Sequence, residues 1–333
     1  VSGEAFISYS QNHEDVVLWR ALNSVQGGHY IDVGAHDPVV HSVTKALYDR
    51  GWNGVNIEPL PEIADELRTA RPRDRTVQAA ITSDSAPTIT LHGFEGTGLS
   101  TLDADVAQGH MSAGFAMADL EVPTARLDDI FALDGLSGVD VHILKIDVEG
   151  AEADVLSTVD LNKWRPWVLV IEATAPLAAT PTYNGWEPSV LATGYQFCLF
   201  DGVSRFYVAE EHAAEYAPAL SYPACALDDF IPVALLRAHE HTQQLASAKG
   251  ELEAQNAQLW NDLVRWRGQA LRGWAASAAE GAWHRELQDR LAATDAALQV
   301  AHGEVERIRA TVSWRVTRPL RAARTLSRRA ATQ

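Results

Sequence analysis

Short apolar runs that end on an acidic residue recur along the first two thirds of the chain. His29-Tyr30-Ile31-Asp32-Val33 enters a turn at Gly34 and predicts a strand. Val39 to Arg50 has the spacing of a helix that Gly51 stops, and Gly54-Val55-Asn56-Ile57-Glu58 predicts the next strand, closed by Pro59. A helix over Glu62 to Ala70 and a strand over Thr76 to Thr82 complete a βαβαβ progression. Two buried-strand patterns follow, Val141 to Ile146 ahead of Asp147 and Trp167 to Ile171 ahead of Glu172, with a helix from Ala151 to Val159 between them. Tyr195 to Phe200 and Ser204 to Val208, joined by Asp201-Gly202, predict a terminal antiparallel hairpin. Between Thr88 and Ile130 the pattern is mixed, and Gly93 to Gly98 reads as a loop near the C-terminal edge of the sheet. The expected fold is α/β, Rossmann-like, with a mostly parallel sheet and helices on both faces.

After Leu235 the strand pattern stops. Stepping by seven from Leu245 meets Leu252, Leu259, Trp266, Gly273, Glu280, Leu287, Thr294, Ala301 and Ile308, and a second stripe offset by four carries Lys249, Asn256, Leu263, Ala270, Ser277, His284, Leu291, Leu298, Val305 and Val312. This is a coiled-coil-like pattern that Gly268, Gly273 and Gly281 interrupt, so two helical stretches are expected, folded back on each other or paired with another chain. An amphipathic helix packed on the body fits the same stripes. The chain divides on this reading into an α/β domain over 1–235, a helical extension over 236–312 and a basic tail over 313–333.

Charge sharpens that division. The 333 residues carry 27 Lys and Arg against 44 Asp and Glu, a net of −17. Eight of the arginines lie beyond Gly303 against Glu304 and Glu306, so the tail is at +6 and the preceding 302 residues at −23. A body this acidic excludes a general nucleic-acid binder, since polyanions recruit basic surfaces. Only Cys198 and Cys225 are present, which excludes a disulfide scaffold or a multi-cysteine metal site within one chain and suggests a reducing cytoplasm. Neither a leader-like start nor a run of about 18 apolar residues is visible.

Open parallel sheets bind ligands beyond the C-terminal ends of their strands. Asp32 with Gly34, Glu58, Asp147 and Glu172 occupy those ends, and acids gathered there need donors, a ligand or a cation to offset their repulsion. Gly34 lets the backbone pass close to a ligand, although the Gly-x-Gly-x-x-Gly spacing of a dinucleotide site is missing. Glu58 is placed to accept both hydroxyls of a ribose.

These pieces stand in an order that resembles a known family. Ser10-Gln11-Asn12-His13-Glu14-Asp15, Ile31-Asp32-Val33-Gly34-Ala35, Ile57-Glu58-Pro59 and Leu144-Lys145-Ile146-Asp147-Val148-Glu149-Gly150-Ala151-Glu152 are similar to the signatures of FkbM-type S-adenosylmethionine-dependent methyltransferases, over roughly residues 5 to 235. The resemblance implies S-adenosylmethionine as cofactor and a hydroxyl of a sugar, glycolipid, polysaccharide or macrolide as acceptor. It assigns Asp32, Gly34 and His36 to the methionine and ribose side of the cofactor, Glu58 to the ribose and Ile81 to the adenine. His36 can equally support the loop, and Ile81 can equally close a buried strand. Asp147, Glu149, Glu172 and His13 are the candidates to take the acceptor's proton, directly or with Mg or Mn as an aid. Lys145 reads better as a structural ion pair than as a base, Glu152 as a first-turn helix residue, and Asp201 and Arg205 as turn residues or sugar contacts.

Ser313-Trp314-Arg315-Val316-Thr317-Arg318-Pro319-Leu320-Arg321 resembles a segment that follows coiled coils in bacterial enzymes building cell-surface polysaccharides. Apolar side chains among arginines suit an anionic membrane surface or an acidic partner. The expected enzyme is thus a sugar-hydroxyl O-methyltransferase, cytoplasmic and peripheral to the inner face of the membrane. Its helices would mediate homo-oligomers or contact a polysaccharide-biosynthesis partner. A natural-product O-methyltransferase explains the same body without the extension, and a noncatalytic assembly protein explains the extension without the acids.

Overall fold

The computed structural model describes residues 5–94, 100–133, 136, 138–276, 283–311, 314 and 316. In chain order the elements are β1 (Phe6–Ser8), α1 (Glu14–Leu22), β2 (His29–Val33), α2 (Lys45–Asp49), β3 (Asn53–Ile57), α3 (Pro61–Ala70), β4 (Arg75–Val77) and β5 (Ala80–Ile81). They continue with β6 (Thr88–Phe94), α4 (Ala104–Ser112), β7 (Met117–Ala125), α5 (Leu127–Phe131), β8 (Ile143–Ile146), α6 (Glu152–Ser157) and β9 (Val168–Glu172). Then come α7 (Glu187–Ala192), β10 (Tyr195–Phe200), β11 (Ser204–Ala209), α8 (Glu210–Leu220), β12 (Phe230–Pro232), α9 (Val233–Ala276) and α10 (Trp283–Ala310).

Seven strands form the main sheet in the order β10-β11-β9-β8-β2-β3-β4. The five from β9 to β4 are parallel, and the β10–β11 hairpin closes one edge antiparallel. The order in which successive strands are laid down reverses between β2 and β8, the switch point at which such sheets open a crevice. Alternation along the strands feeds two cores. Ile31, Val33, Leu144, Ile146, Leu169 and Ile171 pack on one face, and Tyr30, Ile143, Val168 and Val170 on the other. Both faces are covered, which is why these strands read as mainly apolar runs, with Asp32, Asn56 and Lys145 as buried polar members.

Three sequence expectations change. Val39 to Arg50 is not one helix: Asp37 Oδ1 accepts the N–H groups of Val39 and Val40, His41 takes a positive φ, and helical structure begins only at Lys45. Thr76 to Thr82 is not one strand, because β4 belongs to the main sheet and β5 pairs with β7 in another. The mixed middle region contains an antiparallel pair, β6 with β7, and Gly93 sits opposite Ala118 within it. Residues 95 to 98 of the expected glycine loop lie outside the described residues.

By contacts the chain separates into two units, Val1–Leu236 and Arg237–Gln333. Helix α9, which begins at Val233 just ahead of that boundary, runs for 44 residues without a break at Gly268 or Gly273. Each glycine costs about 1 kcal/mol against alanine, too little to stop a helix this long. Trp274 stacks on His284, Arg290 lies over Trp266, and Lys249 faces Trp314, so α10 returns antiparallel along α9. Gly281 and the basic stretch from residue 317 onward lie outside the described residues. Among the described residues, no helix is long and apolar enough to cross a membrane.

Candidate active site

Register builds the site. Val33 pairs with Ile57 on one side and Ile146 on the other, and Ile146 pairs with Ile171. The next residue on each strand is Gly34, Glu58, Asp147 or Glu172, so the four stand in one row across β3, β2, β8 and β9. A cavity of about 450 Å³ opens beside that row. Gly34, Ala35, His36, Glu58, Ile81, Lys145, Asp147 and Glu149 are among its lining residues.

Gly34 is the point of closest approach. Its φ is +73°, and a Cβ there would lie 1.9 Å from the Asp147 carbonyl oxygen. Only glycine fits that position on both counts. Glu58 is 4% exposed, and its two carboxylate oxygens accept the N–H groups of His36 and Leu60. Burial raises its pKa, against the pull of those two bonds. The carboxylate is therefore fixed in orientation while each oxygen keeps a further lone pair toward the cavity. Burial lowers the His36 pKa, and Lys145 adds to that effect, so a neutral imidazole is favoured.

Lys145 ties the row together. Its Nζ donates to the Gly34 carbonyl at 2.7 Å and lies 3.2 Å from Asp32 Oδ1 and 3.4 Å from Asp147 Oδ2. Burial works to lower its pKa, but the two carboxylates outweigh burial and the net direction is upward. An ammonium held this firmly is no general base. Asp32, only 1% exposed, stands one step behind the cavity wall: Thr44 Oγ1 donates to its Oδ2, and Arg71 Nη1 donates in turn to Thr44 Oγ1. The resulting relay, Arg71–Thr44–Asp32–Lys145–Asp147, supports the turn from below. Arg71 and Thr44 carried no signal in the sequence, because their roles depend on the path of the irregular segment after Asp37.

Asp147, Glu149 and Glu172 each bring a carboxylate oxygen within 4.8 Å of the others; Asp147 and Glu149 line the cavity, and Glu172 is not among its lining residues. Burial, then Asp147 and Glu152, raises the Glu149 pKa to about 8. Burial and the neighbouring carboxylates push Glu172 well above the ordinary carboxylate range. Glu152 is a positioning residue, since its Oε1 accepts the N–H groups of Val148 and Gly150.

Other candidates fall elsewhere. His13 is not brought together with this cluster: it caps α1 in a left-handed conformation, contacts Ser8 Oγ and packs on Phe230. Gln11 does line the cavity, and Asp15 holds that segment through Tyr9, Ser10 and Ser8. Arg205 is engaged by Tyr207 and Glu187 and lies against the rings of Tyr183 and Phe197. Asp201 caps the hairpin turn through the N–H groups of Val203 and Ser204. Phe115 and Leu102, from the region that the sequence left mixed, also line the cavity.

A doubly wound sheet with a glycine turn, a fixed acid on the next strand and an apolar wall defines a nucleoside-binding α/β enzyme. Residues 32–197 match the methyltransferase FkbM domain, and the chain belongs through this domain to the FkbM family of S-adenosylmethionine-dependent methyltransferases. A search among curated proteins returns no match. Similar solved structures include a TehB-like SAM-dependent methyltransferase from Corynebacterium glutamicum, 10% identical, covering 59% of this chain and 87% of that one at a TM-score of 0.33. Magnesium protoporphyrin IX methyltransferase from Synechocystis, with bound SAM, is 10% identical over 59% of this chain and 77% of its own, also at 0.33. An O-methyltransferase from Bacillus cereus in complex with SAH is 12% identical over 60% and 81%, at 0.29.

The cavity residues fit that cofactor. The turn at Gly34 leaves room for a close ligand, Glu58 offers two fixed acceptors for a pair of hydroxyls, and Ile57, Ile81, Leu102 and Phe115 give an apolar wall suited to a purine.

Proposed function

We propose that this protein transfers a methyl group from S-adenosylmethionine to a hydroxyl of a surface polysaccharide, a glycolipid or one of their precursors. The observation that carries the reading is the single row in which the nucleoside-binding pair, Gly34 and Glu58, stands beside the carboxylates Asp147 and Glu172. The cofactor supplies an electrophilic methyl group. Glu58 accepts the ribose hydroxyls, and the Asp32 to His36 turn holds the methionine side. Asp147, Glu149 and Glu172 receive the acceptor, orient its hydroxyl and favour loss of its proton. An alcohol is the acceptor that needs such help, because its proton is held far more tightly than that of a protonated carboxylate near neutral pH.

The segment at Ser313 to Arg321 and the arginine excess around it favour an acceptor made at the membrane over a soluble natural product. On this reading the antiparallel helices locate the enzyme, through a second copy or an assembly partner, and the tail approaches anionic lipid at the cytoplasmic face.

Incubation with labelled S-adenosylmethionine and glycan precursors, followed by mass spectrometry, should place label on a sugar oxygen. Glu58→Ala should remain folded and lose cofactor affinity by at least tenfold in calorimetry, whereas equal affinity would remove Glu58 from its role. A chain ending at Leu236 should keep cofactor binding but lose vesicle flotation. Label found only on nitrogen or carbon, across a panel of acceptors, would refute the hydroxyl assignment.

A further inference from the structure

The three carboxylates beyond β8 and β9 are poorly compensated. Lys145 is the ammonium beside Asp147, but it also serves Asp32 and the Gly34 carbonyl. Neither Glu149 nor Glu172 has an ion-pair partner among the described residues. Glu172 is only 9% exposed, and its buried Oε2 has no hydrogen-bond partner among them. Glu149 Oε2 is buried without a partner as well. The two residues with orphaned buried oxygens belong to one group of three whose ligand atoms lie within 4.8 Å of one another. Leaving such oxygens unmatched is costly, and among the described residues the side chain that approaches Glu172 is Asp147, another carboxyl group, so a proton or a cation must lie between them.

We propose that Asp147, Glu149 and Glu172 form a binding site for one hard divalent cation of the Mg²⁺ or Mn²⁺ class, whose open positions take hydroxyl oxygens of the acceptor. All three ligands are carboxylate oxygens, which selects a hard ion over a soft one. Two oxygens bound to one Mg²⁺ at about 2.1 Å can be no more than about 4.2 Å apart. The ligand atoms, all within 4.8 Å of one another, stand close to that limit. Two ligands come from neighbouring strand ends and are rigidly spaced, since Ile146 pairs with Ile171 directly before them. Glu149 follows on the loop that Glu152 holds through two backbone N–H groups. Three protein ligands leave about three positions of an octahedron for water or alcohol oxygens. Asp147 and Glu149 also line the cofactor cavity, so a hydroxyl held there stands beside the methyl donor. The acceptor half of this inference rests on the function proposed above, and the cation half does not.

The test is titration of the full chain with MnCl₂ at fixed pH, with free Mn²⁺ read by electron paramagnetic resonance and cofactor affinity measured separately by calorimetry. About one Mn²⁺ per chain should bind and be displaced by Mg²⁺. Glu172→Gln and Asp147→Asn should each weaken Mn²⁺ at least tenfold while circular dichroism is unchanged. Glu149→Gln, on a loop, provides the same reading should either strand-end variant misfold. No saturable Mn²⁺ binding, or unchanged affinity in the folded variants, would overturn the site even with cofactor binding intact. Stoichiometric Mn²⁺ binding by a chain that methylates no polyol would keep the cation and discard the acceptor role.

Discussion

Replacing Lys145 by methionine tests whether the row of strand ends is held by charge. Methionine has nearly the length of lysine and no donor, so packing survives while three interactions disappear: the bond to Gly34 O and the contacts to Asp32 and Asp147. Asp147 is partly exposed and can be rehydrated, but Asp32 at 1% exposure cannot. It would retain Thr44 as a donor and face an uncompensated buried charge. Removing one partner of a buried pair costs about 3–5 kcal/mol, and the lower end applies where a hydrogen bond remains. Urea denaturation should therefore show Lys145→Met less stable by about 3 kcal/mol. Adding Asp32→Asn, which keeps an acceptor for Thr44 and removes the stranded charge, should recover at least half of that loss. A single variant within about 1 kcal/mol of the parent, or a double variant no better than the single, would refute the ion-pair account. Calorimetry should show weaker cofactor binding in the single variant, because the Gly34 turn loses its tether.

Two further outcomes follow from local chemistry. Burial, reinforced by Asp201, raises the Glu14 carboxyl from 4.5 to about 7. Between those values the folded chain holds a proton that the unfolded chain has released, so stability falls as pH rises through this window, by about 3 kcal/mol in total. Glu14→Gln should flatten that slope and exceed the parent in stability at pH 8, as read by urea midpoints, and an unchanged slope would clear Glu14 of the effect. Gly34→Ala places its Cβ 1.9 Å from a backbone carbonyl at φ +73°, so the β2 and β8 ends must part. A stability loss on the order of 3 kcal/mol and at least a tenfold loss of cofactor affinity are expected, and native affinity in calorimetry would show that the turn tolerates displacement.

The central strands and the acids at their ends were legible because each strand is buried on both faces and stops where the chain meets the cavity. Tyr30 and Ile31 face opposite cores, so neither interrupts the apolar pattern, and in β9 the run Val168 to Ile171 ends on Glu172 at the edge. That logic fails where one face is wet. In β6 and β7 the exposed Thr88, Asp119 and Glu121 break the apolar run, and Gly93 and Pro123 imitate turn residues. It also fails where a side chain captures the backbone: the apolar spacing from Val39 to Arg50 is helical, but Asp37 takes the first two N–H groups, and His41 bridges to Ser10 instead of continuing a helix.

The site divides along the same line. Gly34, Glu58, Asp147 and Glu172 could be named from the sequence because strand order alone aligns them. Asp32 could be named, but its place behind the cavity could not, since the partners that hold it, Thr44 and Arg71, sit 12 and 39 residues further along the chain. Arg71 is fully buried and spends its guanidinium on Pro38 O, Ser42 Oγ and Thr44 Oγ1. It thereby fixes the irregular segment whose early part carries His36 and His41 into the cavity wall. A buried arginine is retained in a fold only when its donors are matched. Here the acceptors are supplied by a loop that cannot be helical, so the residues that defeated the helix expectation are those that let Arg71 support the cofactor turn from below.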